Sequence, residues 1–165
     1  MKKYELTAEF IEKWGKKLFR IKALIGFGSV EAGKLGGYVE KEDNLAQNGN
    51  AWVYDNAWVY DNARVCGDAR VCGDAWVCGD ADYLLIGRIG SRFGFTTFFK
   101  NKEKGITVSY GCFLGTIAEF RAKVTDTHGD NKHAKMYNMA ADMAELQILG
   151  EEHFDKLNTN KSEPF

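Results

Sequence analysis

The sequence is poor in proline and carries almost no net charge. One proline stands against 18 glycines, so we expect glycine corners, rather than proline-stiffened loops, to turn the chain. Lys plus Arg is 22 and Asp plus Glu is 23, which gives a net charge of −1. Proteins that hold nucleic acid by its phosphates depend on a strong positive field. We therefore do not expect nucleic acid as a partner.

Long apolar runs are also missing. No apolar stretch approaches the roughly 18 residues that a membrane helix needs. The first residues, Met-Lys-Lys-Tyr-Glu-Leu-Thr, contain no apolar core of a signal peptide. The four cysteines are then expected to be reduced thiols. These absences predict a cytoplasmic protein with no membrane partner.

A six-residue repeat occupies the middle of the chain. Asn-Ala-Trp-Val-Tyr-Asp occurs twice from residue 50, and three units ending in Val-Cys-Gly follow from residue 62. In every Ala-x-Val, Ala and Val lie two apart and point to one face of a short strand. The Asn, Asp and Gly residues between strands tolerate the left-handed backbone angles of a corner. Residues 51–82 are therefore predicted to form coils of a parallel β-helix, left-handed and three-sided.

A three-sided coil uses three hexads, or about 18 residues, before the chain stacks on itself at strand spacing. This arrangement predicts that Trp58 lies against Trp76 and that valine stacks on valine in the interior. It also predicts that Trp52 stacks on Arg70 in a cation–π contact.

Aromatic side chains at the outward positions of the repeat would form an apolar patch that needs a cover. The chain's own C-terminal part is one cover, and another subunit is the alternative, because Trp and Tyr favour interfaces. We expect a homo-oligomer, dimer or trimer. The predicted interface residues are Trp52, Tyr54, Trp58, Tyr60 and Trp76.

The repeat resembles the bacterial hexapeptide-repeat proteins, the left-handed β-helix superfamily. The stretches 18–24, 30–39 and 44–53 are similar to the start of a subgroup often labelled as transferases and frequent in bacterial and prophage genomes. A β-helix exposes an open edge and an apolar bore at its end. Residues 1–50 are therefore expected to form an N-terminal cap and an irregular first coil. A short helix over residues 7–14, with Thr7 as N-cap, is part of this prediction.

After residue 82 the pattern changes to that of an α+β module. Strands are predicted at 83–86, 96–100 and 106–110. Thr116 and Glu119 form a capping box that begins a helix, Gly129 ends it, and a second helix runs to about residue 149. Residues 83–165 are thus predicted to hold three strands, two helices and a disordered tail from residue 158. The predicted fold is mainly β, with a cap, a short β-helix and this module.

Catalysis finds little support in the sequence. The resemblance implies an acyltransferase, in which a histidine on the β-helix acts as general base, but the three histidines, His128, His133 and His153, all follow the repeat. The repeat cysteines are six apart and fall on three sides of a coil, so they cannot converge on one metal ion. We therefore predict no catalytic residue, no metal and no cofactor.

The glycine-rich loop 87–94 is the predicted binding element. Its backbone N–H groups and guanidinium groups suit an anion or a phosphate, although a solvated loop with surface charges is the alternative. The candidate ligand-binding residues are Arg88, Ser91, Arg92, Thr96, Thr97, Lys100, His128, His133 and Tyr137.

The sequence thus predicts a binding or assembly protein rather than an enzyme. Its expected target is a host protein or a small phosphorylated ligand. The resemblance to prophage proteins implies a phage or prophage origin and, in one version, counter-defence against a bacterial immune system. An atypical hexapeptide acyltransferase and a purely structural oligomerisation module are the alternatives.

Overall fold

The computed structural model describes residues 1–73, 75–79 and 82–159. Its strands are β1 (Tyr4–Lys13), β2 (Lys16–Ala23), β3 (Leu35–Val39), β4 (Trp52–Val53), β5 (Trp58–Val59), β6 (Arg70–Val71), β7 (Trp76–Val77), β8 (Tyr83–Ile89), β9 (Gly94–Lys100), β10 (Ile106–Tyr110) and β11 (Phe113–Thr116). Its helices are a 3-10 turn (Glu42–Asn44), α1 (Ile117–His128), α2 (Lys132–Leu149) and α3 (Glu151–Thr159).

The hexads stack at a spacing of three repeats. β4 pairs in parallel with β6, and β5 with β7, so that Trp52 lies opposite Arg70 and Trp58 opposite Trp76, 18 residues apart in both pairs. The rings of Trp58 and Trp76 are stacked, with centroids 4.9 Å apart and planes 4° apart. The 18-residue register predicted from the repeat is confirmed. The complete β-helix and its left hand stay predictions.

The corners between hexads lie where the sequence places them. Asp55, Asp61, Gly67 and Gly73 all have positive φ, between 53° and 67°, and recur every six residues. Glycine adopts this conformation without strain, and Asp is one of the few other residues that tolerate it. Each corner ends one short strand, which keeps the strands two residues long.

Small and β-branched side chains fill the interior of the coils, as the alternation predicts. Each of them is at most 1% exposed, which leaves no room for water between successive turns. They are Ala51, Val53, Ala57, Val59, Ala63, Val65, Ala69, Val71, Ala75 and Val77.

The predicted helix over residues 7–14 is wrong. A long antiparallel hairpin, β1–β2, occupies this segment instead. Trp14 and Gly15 between the strands have φ of 51° and 74°, the conformation of a two-residue hairpin turn. β2 also pairs with β3, and β3 pairs in parallel with β5. The N-terminal segment is thus continuous with one side of the coils.

Lys3 and Tyr4 close the N-terminal end of the coils. The Lys3 ammonium is buried, donates to the Ala51 carbonyl at 2.9 Å, and lies 4.7 Å from the Phe27 ring centroid. The Tyr4 hydroxyl donates to the Leu45 carbonyl at 2.7 Å. Burial lowers the pKa of Lys3 because the charged form loses hydration. These contacts satisfy carbonyl groups that an open coil would leave unpaired.

The C-terminal module is a four-stranded antiparallel sheet in the order β11-β10-β9-β8, with α1 and α2 packed on one face. The Thr116 capping box and the end of α1 at Gly129 are confirmed. β11 and α3 are additions to the three strands and two helices of the prediction. Asn158 and Thr159, where the predicted disordered tail begins, are helical, and 160–165 lie outside the described residues.

Among the residues that the structure describes, none of the helices is long and apolar enough to cross a membrane.

Candidate functional site

A cleft of about 450 Å³ opens in the C-terminal module. It lies between the β8–β9 loop, the β10–β11 turn and one face of α1, with Tyr137 of α2 at its floor. Its lining residues are Ser91, Arg92, Gly94, Phe95, Tyr110, Gly111, Cys112, Phe113, Phe120, Lys123, Val124, Thr127, His128 and Tyr137.

Four of the nine predicted ligand-binding residues line this cleft: Ser91, Arg92, His128 and Tyr137. The first two come from the glycine-rich loop, and the others come from α1 and α2. Ser91 and Arg92 are exposed, so their polar atoms are accessible to a ligand. The structure thus joins the predicted loop and the predicted helix junction in one place.

The other five predicted residues lie elsewhere. Thr96 and Thr97 are buried because β9 is covered on both faces: Phe98 packs in the core of the module and Phe99 in the core of the coils. Thr97 accepts a hydrogen bond from the backbone N–H of Arg70 at 3.1 Å.

The three charged or imidazole residues of this group have other partners or positions. Lys100 pairs with Asp82 at 3.4 Å, and the Arg88 Nε donates to the Phe93 carbonyl at 3.4 Å. His133 lies behind His128, with ring centroids 5.6 Å apart. None of the five lines the cleft.

The floor of the cleft is aromatic and rigid. Tyr137 is 2% exposed, and its hydroxyl donates to the Tyr110 hydroxyl at 2.7 Å. Burial, with help from this hydrogen bond, raises the pKa of Tyr137, so the phenol stays protonated at neutral pH. The Phe120 ring meets the Tyr137 ring edge-on at 5.8 Å. The His128 ring stacks on Tyr137 at 5.7 Å.

The charge along the cleft has one sign. Arg92 and Lys123 are both exposed and line the cleft from different elements, one from the β8–β9 loop and one from α1. No Asp or Glu is among the lining residues. A site with two cationic side chains and no carboxylate favours an anionic ligand.

Gly90 lets the β8–β9 loop cross the floor. Its φ is 79°, and a Cβ at this position would lie well inside contact distance of the Tyr137 hydroxyl. Tyr137 cannot move away without breaking its hydrogen bond to Tyr110. Glycine at this position therefore sets how closely the loop that carries Ser91 and Arg92 approaches the floor.

Lys123, Thr127, Phe95, Phe113 and Cys112 line the cleft and were not predicted. The sequence holds a partial signal for the first two, since Lys123 and Thr127 are four residues apart and share one face of α1. That face could be assigned only after Phe120 and Val124 were known to be buried. The β10–β11 turn was not expected because β11 itself was not.

A second polar cluster joins the coils to the module at Asp82. Its carboxylate accepts from the backbone N–H groups of Cys78 and Gly79 at 3.0 and 3.1 Å, and from the Cys78 thiol at 3.0 Å. Burial opposes ionisation, but the hydrogen bonds from Cys78 and the charge of Lys100 outweigh it and lower the pKa of Asp82. Burial raises the pKa of the Cys78 thiol, which makes it a poor nucleophile at neutral pH.

Replacing Asp82 with Asn is expected to lower the free energy of unfolding by about 1–3 kcal/mol at pH 7. A depressed carboxyl pKa adds stability that is present above the unfolded-state value, about 3.9, and is lost as the pH falls through the folded value. The gap between the wild type and the Asp82→Asn variant should therefore shrink between about pH 5 and pH 3. Urea unfolding at several pH values measures this, and a gap that stays constant down to pH 3 would contradict it.

The predicted aromatic interface is wrong for Trp52. This side chain is fully buried, with the rings of Tyr4 and Phe27 at 6.1 and 5.4 Å. The predicted Trp52–Arg70 stack is also wrong, since the Arg70 guanidinium lies 5.2 Å from the Tyr54 ring instead. Trp52 points outward from its coil, and the N-terminal segment covers that side.

The remaining aromatic residues of the predicted interface, Tyr54, Trp58, Tyr60 and Trp76, are half-buried. Trp14, at the tip of the β1–β2 hairpin, contacts the rings of Trp58, Tyr60 and Trp76 at 5.4–5.9 Å and is itself 63% exposed. The N-terminal hairpin, rather than the C-terminal module, is thus a cover for this patch.

Metal-ligating side chains do not cluster in the described part of the chain: no group of three His, Cys, Asp or Glu is placed to hold an ion. All four cysteines are free thiols.

The structure defines a protein with stacked six-residue repeats and an appended α+β module that carries a cleft. Among curated proteins, the chain is similar to the uncharacterized acetyltransferase YdcK of Escherichia coli strain K12, with 41% identity over 63 residues. The match covers 33% of this chain and 19% of YdcK, so the matched part is about a fifth of that protein. YdcK belongs to the hexapeptide-repeat transferases, which supports the resemblance at that level. No protein-family profile matches the chain.

Proposed function

We propose that this protein binds a small phosphorylated ligand in the cleft of the C-terminal module and releases it unchanged. The observation that carries the proposal is that Arg92 and Lys123 both line an aromatic-floored cleft whose lining residues include no carboxylate. The volume of the cleft, about 450 Å³, lies within the range of small-molecule sites, about 300–1,000 Å³. The guanidinium and the ammonium supply charge-assisted hydrogen bonds for phosphate oxygens.

Binding without chemistry is favoured by the same residues. Cys112 is the lining thiol and His128 the lining imidazole, and no hydrogen bond joins them within the described ranges. The His128 ring stacks on Tyr137, and the hydroxyl of Tyr137 is engaged by Tyr110. A nucleophile needs a base within hydrogen-bond reach, and the described lining residues show no such pair.

Replacing Arg92 with Ala is expected to weaken binding of a phosphorylated ligand by about 10- to 100-fold, because a hydrogen bond to a charged group contributes about 1.5–3 kcal/mol. Lys123→Ala should act in the same direction. Isothermal titration with ribose 5-phosphate and with mononucleotides measures the affinity.

Arg88→Ala is the matched control for this experiment. Arg88 lies near the end of β8, close to Arg92 in sequence, and carries the same charge, but it does not line the cleft. Its replacement should leave the affinity within about twofold of the wild type, a change of only ~0.4 kcal/mol. Equal losses for Arg88→Ala and Arg92→Ala would show a diffuse charge effect and reject the cleft as the site.

Acyl transfer is the second candidate, and the similarity to YdcK favours it. The described repeat residues contain no histidine to act as general base, and Cys78 and Tyr60 there have raised pKa values, to about 12 for Tyr60, mainly through burial. We therefore expect no transfer of the acetyl group from acetyl-CoA to an amine or hydroxyl acceptor. Release of free CoA that depends on such an acceptor would favour this second function.

Homo-oligomerisation, a prophage origin and a counter-defence role stay predictions of the sequence. A host protein as the target and a purely structural role are alternatives to the ligand. Native mass spectrometry of protein purified from its host would detect a retained ligand and count the subunits in one measurement.

A further inference from the structure

The aromatic wall of the cleft exceeds what a phosphate group alone would need. Five of the fourteen lining residues are Phe or Tyr. Phe120 and Tyr137 are buried and close the floor. The other three border the open space of the cleft, and Phe95 remains 40% exposed. Apolar surface of this kind gains stability when a ligand covers it.

Resting on the proposed function, we propose that the ligand is a nucleoside phosphate. Its phosphate oxygens would pair with Arg92 and Lys123, and its planar base would pack on the aromatic wall that includes Phe95 and Phe113. Stacking of a base on an aromatic side chain contributes about 1–3 kcal/mol and is available to every base. The combination of a cationic rim and an aromatic wall therefore selects a phosphate with a ring over a phosphate without one.

The test compares AMP, GMP, CMP and UMP with ribose 5-phosphate and adenosine by isothermal titration. At least one mononucleotide should bind tenfold or more tightly than ribose 5-phosphate. If ribose 5-phosphate binds as tightly as each of the four mononucleotides, the nucleoside part of the proposal is wrong, but the proposed phosphate binding is retained. If no phosphorylated compound binds, the proposed function fails as well. If adenosine binds as tightly as AMP, the proposed contacts of Arg92 and Lys123 with the phosphate are refuted.

Two variants distinguish the contribution of the base to binding from that of the phosphate. Phe95→Leu should weaken mononucleotide binding by at least fivefold and leave ribose 5-phosphate unchanged, whereas Arg92→Ala should weaken both. Phe93→Leu is the control, because Phe93 lies in the adjacent β8–β9 loop, is 66% exposed and does not line the cleft. Equal effects of Phe93→Leu and Phe95→Leu on AMP binding would overturn the stacking contact.

An independent observation concerns the outer face of α2. Met136, Met139, Met143 and Leu146 are exposed by 39%, 65%, 57% and 45%. Their spacing of three, four and three residues is that of the apolar seam of paired helices. The core-facing residues of α2, such as Ala140 and Ala144, are separate from this seam.

We infer that a second copy of this chain docks on this seam with the two α2 helices antiparallel. Lys132 and Lys135 lie at the beginning of α2, and Glu151 and Glu152 begin α3 just after Gly150, which caps the end of α2. All four are exposed. An antiparallel pair places the lysines of each copy near the glutamates of the other, whereas a parallel pair would oppose like charges. The same patch then serves both copies, as a two-fold dimer requires.

Sedimentation velocity over a range of concentrations tests this dimer. Met139→Glu with Met143→Glu should weaken dimerisation by at least tenfold. Ala118→Glu with Ala122→Glu adds two charges at the same spacing on the exposed face of α1 and should leave it unchanged. A monomeric wild type, or a Met139/Met143 variant that dimerises normally, would overturn the inference.

Charge reversal provides a second arm of that test. Lys132→Glu with Lys135→Glu should weaken the dimer, and adding Glu151→Lys with Glu152→Lys should restore it. Failure of the second pair to restore the dimer would refute the antiparallel arrangement. Circular dichroism confirms that each variant is folded.

Discussion

Replacing Trp52 with Ala is expected to lower the free energy of unfolding by about 3–5 kcal/mol. The side chain is fully buried between the coils and the N-terminal segment, in contact with Tyr4 and Phe27. Its ring lies against the Gly36 backbone so closely that a Cβ there would be 2.7 Å from the indole. Removing it leaves a cavity that the rigid coil cannot fill. Chemical denaturation followed by circular dichroism measures the loss.

Trp58→Ala and Trp76→Ala are the controls for Trp52→Ala. All three occupy the same position of the repeat, but Trp58 and Trp76 are half-buried beneath the exposed Trp14. Their replacement should cost less than 3 kcal/mol, since less surface leaves water. If Trp52→Ala costs no more than either control, the cap does not stabilise the coils in the way described.

Replacing Gly90 with Ala is expected to destabilise the module by about 2–4 kcal/mol. Positive φ accounts for about 1 kcal/mol of this, and overlap with the fixed Tyr137 hydroxyl adds about 1–3 kcal/mol. Because the overlap pushes the β8–β9 loop away from the floor, ligand affinity should fall at least tenfold even where the variant is folded. Thermal unfolding and titration of the same preparation measure both effects.

Gly111→Ala isolates the contribution of the overlap. Gly111 also has positive φ, 55°, and also lines the cleft, but a Cβ there would meet nothing within 4 Å. Its replacement should cost only about 1 kcal/mol. Similar losses for Gly90→Ala and Gly111→Ala would mean that backbone conformation alone requires glycine at residue 90.

The coil register could be predicted because it depends on a local period. Six residues advance the chain by one side, so three hexads bring Trp58 to Trp76 without any information about distant segments. The helix ends followed in the same way from Thr116 and Gly129, whose side chain or lack of one acts on the adjacent backbone. These features are encoded within a few residues of where they occur.

The burial of Trp52 could not be predicted in this way. Trp52 and Trp58 have identical neighbours in sequence, and only the docking of the N-terminal segment distinguishes them. The β1–β2 hairpin escaped detection because Trp14 is an unusual residue at positive φ, where Asn or Gly is expected. Both failures have one cause, since long-range packing overrode local preference.

Only part of the cleft could be predicted, because the rest of it depends on long-range packing. Ser91 and Arg92 were found because a glycine-rich loop is visible in the sequence. Lys123 became a candidate only once α1 was seen to pack behind that loop. Thr96 and Thr97, which the sequence suggested, lie in a strand covered on both faces.

The 18-residue register restricts how the gene for this protein can lengthen or shorten. Gain or loss of a single hexad between Trp58 and Trp76 would place these two residues on different sides of the repeat, so Trp14 could no longer contact both. A duplication of three hexads would instead add one full 18-residue turn, so the segments on either side would keep their present orientation. Lys3 and Tyr4 bind carbonyl groups of the first turn. Such a duplication can therefore be inserted between existing turns but not before the first one.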